Sequence, residues 1–369
     1  MSANAFSIAL MPGDGIGREV LNAALHVLDA VEERFGVATR REIVEGGAHQ
    51  YRDRGVALSE DGFKRAEAAD AILFGAMGWP EIRYPDGTEI APQLDLRFRF
   101  ELYAGVRPIR AIPGVPVALA DPRARRIDLV ILRESTEGMF ASRGKGEVID
   151  DRVARDTQVI SRATTERLSR FAFDLARRRA ARSGKPGRVT LVDKANVFRS
   201  FAFMRQVFDE VAAVNEDVVS GHHYVDAMAL DLVRRPWDFD VLPMENLFGD
   251  ILSDLGAGLI GGMGFAPSAD IGDRHALFQP SHGSAPDITG QGIANPTAMI
   301  LSAAMMLEWL GDRHRSEGAE AGAQAIRAAV DLAFGRGDVR SCDIGGNDST
   351  GAVAQAVAEI VRSGEADPP

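Results

Sequence analysis

The amino-acid sequence predicts an α/β protein with a largely parallel sheet. Short apolar runs that are typical of buried strands alternate with amphipathic stretches of helical period, and this order favours strands joined by crossover helices. The chain has 369 residues, of which 46% are hydrophobic, so it is long enough for two domains with a substantial core. Composition alone does not fix the boundary between them.

Individual elements follow from apolar runs and from signals at helix ends. The clearest helix start is Asn295-Pro296, because an asparagine can cap free backbone amides and proline suits the first helical position. The run Ile300–Leu310 is mostly apolar, and Gly311 predicts its stop. The uncharged stretch 288–307 approaches membrane-spanning length, but its polar first half predicts a loop followed by a buried helix. The other predicted elements are a helix over Arg18–Phe35 and strands at Ser7–Met11, Ala71–Phe74, Asp128–Leu132 and Val189–Val192.

Net charge and cysteine content exclude several classes of protein. A net charge of −11 argues against a general binder of nucleic acid or anionic membranes, because no basic excess is available to neutralise phosphates. The single cysteine, Cys342, rules out an intrachain disulfide and a cysteine-rich zinc site. The first ten residues lack the pattern of a signal peptide, so we expect a cytoplasmic protein.

The segment Pro12–Gly17 is a glycine-rich turn between the first strand and the first helix. Its spacing is G-x-G-x-G and not the G-x-G-x-x-G of a dinucleotide-binding loop. No lysine followed by serine or threonine completes a P-loop, which argues against a phosphotransferase. The spacing therefore argues against an ordinary Rossmann site, because short glycine motifs often match falsely. Otherwise the segment is a tight turn that lets strand and helix pack closely.

Two acids, Asp250 and Asp254, stand four residues apart and would share one face of a helix. On a solvated face their repulsion costs only tenths of a kcal/mol, so an exposed acidic helix is one interpretation. A bound hard cation is the other, because oxygen ligands would then turn repulsion into coordination. The absence of cysteine and histidine from the motif favours magnesium or manganese over zinc.

Basic residues supply candidate groups for an acidic substrate. Arg97, Arg107 and Arg133 could bind carboxylates in bidentate fashion, although each alone is more often a surface residue, and Arg99 is interpreted as structural. Lys194 follows the predicted strand Val189–Val192, and functional groups often cluster at strand ends in α/β sheets. A lysine near other cations or a metal can act as a base, but spacing alone favours a solvated lysine.

A long loop from His282 to Pro296 precedes the best-marked helix. Small residues near its start, including Gly283, Ser284 and Ala285, would let it wrap a ligand and present backbone amides. An ordinary turn-rich connection with a structural His282 is equally compatible with the pattern.

Together these segments resemble the β-decarboxylating dehydrogenases of the isopropylmalate, isocitrate, tartrate and D-malate group, over almost the whole chain. The resemblance implies a non-Rossmann fold of two domains with the active site in the cleft between them. The first domain would comprise 1–102 and 261–369, and the second, 103–260, would form the contact of a homodimer. The matching segments are the glycine-rich turn, 94–107, 133–140, 192–197, 224–228, 246–254 and the His282 loop.

The resemblance also implies roles for the candidate residues. Arg97, Arg107 and Arg133 would hold the carboxylates of a malate-like 2-hydroxy acid. The metal ion, Mg²⁺ or Mn²⁺, would be bound by Asp250 and Asp254, with Asp226 supplied by the partner subunit. Lys194 would also cross the dimer interface and act as the base at the substrate hydroxyl, so that active sites are shared.

The His282 loop would bind the adenosine half of the cofactor. By the resemblance, Asp287 accepts hydrogen bonds from the ribose hydroxyls and Asn295 lies near the adenine, with His282, Gly283, Ser284 and Ala285 completing the loop. NADP-using relatives carry a lysine and a tyrosine where this chain has Asp287 and Ile288. A carboxylate at that place repels a 2′-phosphate, so NAD is expected.

Two residues depart from the family pattern. Phe140 stands where the family has a tyrosine that donates the final proton, so another group or water replaces it, or the reaction stops at oxidation. Gln93 stands where isopropylmalate enzymes carry a leucine, and it could bond a substrate hydroxyl or carboxylate or face solvent. Phe140 also leaves open a non-catalytic, ligand-sensing regulatory subunit, although such a protein would be expected to lose the base or a metal ligand.

Overall fold

The computed structural model describes residues 5–366, which form a ten-stranded mixed sheet, a two-stranded ribbon and surrounding helices. The strands are β1 (Phe6–Gly13), β2 (Thr39–Ile43), β3 (Ala71–Ala76), β4 (Ala104–Arg110), β5 (Asp128–Glu134), β6 (Glu147–Ile149), β7 (Val153–Arg155), β8 (Arg188–Asp193), β9 (Val219–Tyr224), β10 (Val241–Met244), β11 (Pro267–Ile271) and β12 (Ala276–Pro280). The helices are α1 (Gly17–Phe35), α2 (Ala48–Arg54), α3 (Glu60–Ala68), α4 (Pro92–Arg99), α5 (Arg162–Ser183), α6 (Arg199–Ala212), α7 (Val225–Arg234), α8 (Asn246–Leu259), α9 (Thr297–His314), α10 (Glu317–Arg336) and α11 (Thr350–Ser363).

The large sheet has the order β2-β1-β3-β12-β11-β4-β5-β10-β8-β9. Most neighbours are parallel, but the central pairs β12–β11, β11–β4 and β4–β5 are antiparallel. The prediction of an α/β fold with a largely parallel sheet is therefore confirmed, whereas the antiparallel centre was not predicted. Strands from 1–102 and 261–369 occupy one half of the sheet and strands from 103–260 the other. The domain division proposed from the sequence runs along this junction and stays a prediction.

The predicted strands and the first predicted helix are present. Each predicted strand core lies within β1, β3, β5 or β8, and α1 begins at Gly17, one residue before the predicted start. Strand β3 is buried along its whole length, as an apolar run flanked by helices on both faces should be. Helix α1 buries one stripe against the sheet and ends at Gly36, whose left-handed backbone closes the helix.

Helix α9 confirms the predicted loop followed by a buried helix, but two details differ. It begins at Thr297, so Pro296 precedes the first helical position that it was predicted to occupy. The backbone N–H of Thr297 donates to the Asn295 side chain at 3.0 Å. The prediction that Gly311 stops the helix is wrong, because α9 continues to His314 and turns in the left-handed conformation of Arg315. Gly311 serves close packing instead, since a Cβ there would lie 2.6 Å from Cγ of Glu320 on α10. Within residues 5–366, no helix is long and apolar enough to cross a membrane.

Buried apolar side chains on both faces of the sheet hold the strand ends in place. One large cluster packs α1, α9, α10 and α11 against the β1–β3 half and α5 and α6 against β8 and β10, and a second lies under α7 and α8. Each fully buried large side chain stabilises the fold by roughly 1.5–3 kcal/mol relative to exposure. Side chains at the centre of the sheet therefore project from a rigid support.

Candidate active site

The three arginines predicted to hold carboxylates surround one buried carboxylate where the two halves of the sheet meet. Arg97 is on α4, Arg107 on β4 and Arg133 on β5, and none is more than 6% exposed. In the sheet register, Gly105 of β4 is paired with Asp270 of β11 on one side and with Arg133 on the other. Guanidinium groups at such depth need counter-charges, because burying an unpaired charge is very costly.

Asp270 supplies that counter-charge and is itself fully buried. Its Oδ2 lies 3.0 Å from Nε of Arg97, a charge contact whose angle is not that of a hydrogen bond. Gln279 donates to the same oxygen at 2.8 Å, and the Ser135 hydroxyl donates to Oδ1 at 3.3 Å. The carboxylate is thus fixed by a side chain of β12, by the residue that follows β5 and by α4.

Burial and neighbouring charges shift the pKa values of Asp270, Arg107 and Arg133. Burial would raise the pKa of Asp270, but the charges of Arg97, Arg107 and Arg133 outweigh burial and hold that pKa below its usual value. Burial lowers the pKa of Arg107, and it lowers the pKa of Arg133 to about 10, with the neighbouring Arg97 acting in the same direction on both. Arginine side chains keep their positive charge in proteins. The cluster therefore holds three positive charges against one buried negative charge.

Arg133 connects this cluster to helix α8. Its Nε donates to the Asn246 side chain at 2.9 Å, and a terminal nitrogen donates to the carboxylate of Asp250. Gly249 permits the close approach, since a Cβ there would lie 2.6 Å from Cβ of Arg133. The Arg133 guanidinium also lies over the ring of Phe140, 4.9 Å from its centre. The residue that departs from the family tyrosine is therefore in contact with the site.

Asp250 and Asp254 lie one turn apart on α8, with Asp250 half-exposed and Asp254 exposed in the single chain. The pKa of Asp254 is raised, first by partial burial and then by the charge of Asp250. The two carboxylates thus repel each other as they stand, which is what a cation would relieve. Among residues 5–366, no group of three or more His, Cys, Asp or Glu side chains could hold a metal ion. One chain therefore offers two carboxylates here.

Lys194 and Asp226 form a separate pair. Lys194 follows the end of β8, and its ammonium donates to Asp226 on α7 at 2.6 Å. This hydrogen bond lowers the pKa of Asp226. Among the described residues, no hydrogen bond or ion pair joins this pair to Asp250, Asp254 or the three arginines, so a single chain presents two partial sites.

Gln93 shares a face of α4 with Arg97, four residues on. Its side-chain oxygen is buried and has no hydrogen-bond partner among residues 5–366, so it is an acceptor available to a ligand. Arg99, interpreted as structural, pairs on the surface with Glu60. Gln93 is therefore on the same helix face as Arg97, whereas Arg99 lies on the surface.

The loop predicted to bind the cofactor joins β12 to α9. Ser284 is buried and its hydroxyl donates to the carbonyl of Gly78 at 2.6 Å, while Ala285 adopts a left-handed backbone with φ 40°. Asp287 is exposed, and its carboxylate makes no hydrogen bond or ion pair within the described part of the chain. The loop is therefore ordered by its backbone and presents a free acceptor.

Two other loop residues are already engaged or enclosed. Asn295 donates to Asp343 at 3.0 Å and accepts the backbone and hydroxyl hydrogens of Thr297. Nε2 of His282 is buried and unpaired within residues 5–366, and burial lowers the pKa of this imidazole. His282 is therefore neutral at neutral pH and holds an unused nitrogen.

The sequence did not predict Asp270 or the two side chains that donate to it, Ser135 and Gln279. It also did not predict Asn246, which accepts a hydrogen bond from Arg133. A signal for Asp270 was present, because it interrupts the short apolar stretch of a strand, and an acid at such a position needs a cationic partner. Nothing in the sequence spacing points to the other three.

The fold and the site define a two-part α/β enzyme scaffold in which a buried cationic cluster adjoins a helix with paired acids. A family model described as isocitrate/isopropylmalate dehydrogenase matches residues 7–361. The chain belongs to this family, and it has the corresponding dehydrogenase fold.

Individual relatives agree with this assignment. The chain is 41% identical over 356 residues to a 3-isopropylmalate/3-methylmalate dehydrogenase of Methanocaldococcus jannaschii, which covers 96% of this chain and 98% of that protein. It is 38% identical over 373 residues to a 3-isopropylmalate dehydrogenase of Vibrio cholerae, covering 98% and 99%. Among solved structures, an isocitrate dehydrogenase from Methylococcus capsulatus matches with TM-score 0.83 and 35% identity, covering 97% and 99%. A β-decarboxylating dehydrogenase from Thermococcus kodakarensis matches with TM-score 0.78 and 38% identity, covering 97% and 96%.

Proposed function

We propose that this enzyme uses NAD and a divalent metal ion to oxidise a malate-type 2-hydroxy acid such as 3-isopropylmalate, tartrate or D-malate. The observation that carries the proposal is the buried cluster of Arg97, Arg107 and Arg133 directly beside the acids of α8. Buried guanidiniums bind carboxylates strongly and in a fixed orientation. A dicarboxylic acid held there brings its hydroxyl towards Asp250 and Asp254.

The donor set of α8 fits a magnesium or manganese ion. Asp250 and Asp254 are hard oxygen ligands whose mutual repulsion a cation relieves. We propose that Asp226 of a second subunit completes the ligands, since one chain offers two. Asp250 and Asp254 would hold the ion, which would supply a lowered pKa of the substrate hydroxyl and stabilisation of negative charge on the oxidised product.

The His282 loop fits the adenosine part of NAD. The exposed carboxylate of Asp287 has no partner within residues 5–366, so it can accept two ribose hydroxyls. The same charge repels the 2′-phosphate of NADP. The unpaired Nε2 of His282 and the backbone of Gly283, Ser284 and Ala285 line the same segment, and Asn295 holds the end of the loop on α9.

We further propose that two subunits share each active site. The Lys194–Asp226 pair is complete within one chain but has no contact with the arginine cluster among the described residues. In a homodimer, the partner's pair would face the cluster, and Lys194 would accept the proton of the substrate hydroxyl while hydride passes to the nicotinamide.

An exposed apolar surface supports the dimer. Leu230 and Val233 on α7, and Leu247 and Ile251 on α8, are between 36% and 60% exposed in the single chain. Helices α7 and α8 are in contact with each other, so these exposed residues lie on neighbouring helices. They flank both partial sites, because α7 carries Asp226 and α8 carries the metal-binding acids. Covering this surface with a second copy would bring the partial sites together.

The two residues that depart from the family pattern, Gln93 and Phe140, bear on the choice of substrate and on the final protonation step. The free acceptor of Gln93 favours a substrate that carries a hydroxyl or another donor, as tartrate does, over a bare isopropyl group. Phe140 cannot donate a proton, so if the β-carboxylate leaves as carbon dioxide, water or another side chain protonates the resulting enolate.

The test is a panel of 2-hydroxy acids with NAD and Mn²⁺, in which NADH and carbon dioxide are both measured. We expect NADH with at least one malate derivative and a strong preference for NAD over NADP. NADH without carbon dioxide would limit the reaction to oxidation. If the protein binds these acids and NADH yet forms no NADH from any of them, the regulatory-subunit alternative replaces the enzyme.

Shared sites are tested by mixing two inactive variants, Lys194→Ala and Arg133→Ala. Mixed dimers contain one site with both native residues, so activity should reappear at up to about a quarter of the wild-type value. The measurement is NADH formation after co-refolding, and each variant refolded alone is the control. Mixtures that stay inactive contradict the shared-site proposal.

A further inference from the structure

The glycine-rich turn of residues 12–17 lies against the cofactor loop and not against open solvent. The backbone N–H of Ile16 donates to the carbonyl of Ser284 at 2.8 Å. Gly15 has a φ of 57°, and a Cβ at this position would lie 1.9 Å from the same carbonyl oxygen. Only glycine therefore permits the approach of the turn to the loop.

A second contact follows on the first turn of α1. The carboxylate of Glu19 accepts the backbone N–H of Gly290 at 2.5 Å, and its other oxygen is buried without a partner among residues 5–366. These two hydrogen bonds hold the loop at Ser284 and at Gly290. Between them lies the short helical turn Pro286–Ile288, which carries Asp287.

The rest of the loop is held independently. Beyond Gly290, the backbone carbonyls of Gly292 and Ala294 accept hydrogen bonds from the backbone and the hydroxyl of Thr350 on α11. Removing the Glu19 contact therefore frees the segment around Asp287 while leaving the connection to α9 in place.

We propose that Gly15 and Glu19 are positioning residues that fix the cofactor loop so that Asp287 meets the ribose of NAD. The glycine-rich turn then acts on the cofactor through the backbone of the loop and does not bind phosphate itself. This inference rests on the proposed role of the loop in binding NAD, whereas the contacts that carry it are independent of any ligand.

The test compares Glu19→Ala with Glu19→Gln in the full-length protein. Glu19→Ala removes the acceptor, and we expect the Kd for NADH, measured by fluorescence, to rise about tenfold, the effect of losing one hydrogen bond to a charged group. Glu19→Gln keeps an acceptor and should change this Kd by less than about threefold. The Kd for D-malate with Mn²⁺, measured by calorimetry without cofactor, should be unchanged in both variants.

Hydrogen–deuterium exchange gives a readout that does not depend on NAD. In Glu19→Ala, peptides covering 284–291 should take up deuterium faster than in wild type, and peptides covering α9 should not. Glu33→Ala is the matched control, because Glu33 is also on α1 but contacts Arg362 of α11. Gly15→Ala should give the same pattern as Glu19→Ala, with a larger rise in the Kd for NADH.

Two results would overturn the proposal. One is unchanged exchange of 284–291 in both Glu19→Ala and Gly15→Ala. The other is an equal loss of affinity for NADH and D-malate, which would mean a general structural role. If the wild-type protein does not bind NADH, the proposal that the loop binds NAD is wrong. Hydrogen–deuterium exchange alone then shows whether Gly15 and Glu19 hold the loop.

Discussion

Replacing Asp270 with asparagine should destabilise the fold through loss of charge and little else. Asparagine has nearly the same shape, and its side-chain oxygen can still accept a hydrogen bond from Gln279 or Ser135. What disappears is the negative charge 3.0 Å from Nε of Arg97. Arg97 is 5% exposed, so its charge would remain buried beside two further guanidiniums.

The size of the effect follows from the burial of both partners. Leaving one member of a buried ion pair without its counter-charge costs about 3–5 kcal/mol, and with neither group exposed to solvent no discount for screening applies. An unfolding entropy of about 2.1 cal/mol/K per residue over 369 residues is about 0.8 kcal/mol/K. The melting temperature of Asp270→Asn should therefore fall by about 4–6 °C.

The assay is thermal unfolding followed by circular dichroism, with Asp273→Asn as the matched control. Asp273 pairs with Arg167 at 3.1 Å but its side chain is 65% exposed, so its loss should cost less than about 1 kcal/mol. Adding a dicarboxylate should stabilise Asp270→Asn more than wild type, because the ligand replaces part of the missing negative charge. A melting temperature within 1 °C of wild type would refute the electrostatic reasoning.

Three further predictions concern the reaction and its pH dependence. Lys194→Ala should lower kcat roughly 10²–10⁴-fold in the NADH assay, as loss of a general base does, with little change in melting temperature; a kcat within tenfold of wild type contradicts the assignment. Phe140→Tyr should raise the ratio of carbon dioxide to NADH, and an unchanged ratio would mean that a hydroxyl at this position is irrelevant. Burial raises the pKa of Glu134 from 4.5 to about 7, against hydrogen bonds from Thr136 and the backbone of Glu137 that lower it. Because the pKa of Glu134 is raised in the folded state, its contribution to the stability of the fold is fully present below pH 4.5 and is lost as the pH rises through 7. Glu134→Gln should therefore make the free energy of unfolding, measured with urea, depend less on pH between pH 5 and 8. If the free energies of the variant and the wild type change in parallel over this range, the prediction is wrong.

Local sequence patterns predicted the fold class, because the spacing of apolar residues and the residues that end helices and strands are local properties of the chain. The alternation of β1, α1 and β3 and the buried helix after Asn295 could be read directly from the residues. The stop at Gly311 failed because glycine can end a helix or admit a neighbour, and the contact with Glu320 that decides between them comes from a distant helix. The antiparallel centre of the sheet also depends on long-range pairing that no local pattern encodes.

The site was predictable in its charged residues but not in what organises them. Arg97, Arg107 and Arg133 were predicted because a dicarboxylate needs cationic partners. The resemblance to a family then assigned all three to the carboxylates of the substrate. Asp270 was not found, because its partners come together only when β11 and α4 meet β4. The contact between the glycine-rich turn and Ser284 likewise joins residues that are far apart in the chain.

In the proposed reaction, hydride passes from C2 of a malate-type acid to NAD. The most direct measurement supplies the best substrate of the panel with deuterium at C2, together with NAD and Mn²⁺, and analyses the reduced cofactor by mass spectrometry. If hydride passes from C2, each molecule oxidised by the wild-type enzyme places one deuterium at C4 of the nicotinamide, and Lys194→Ala forms the same labelled cofactor about a hundredfold or more slowly. Reduced cofactor without deuterium, or no reduced cofactor with any substrate, would contradict it.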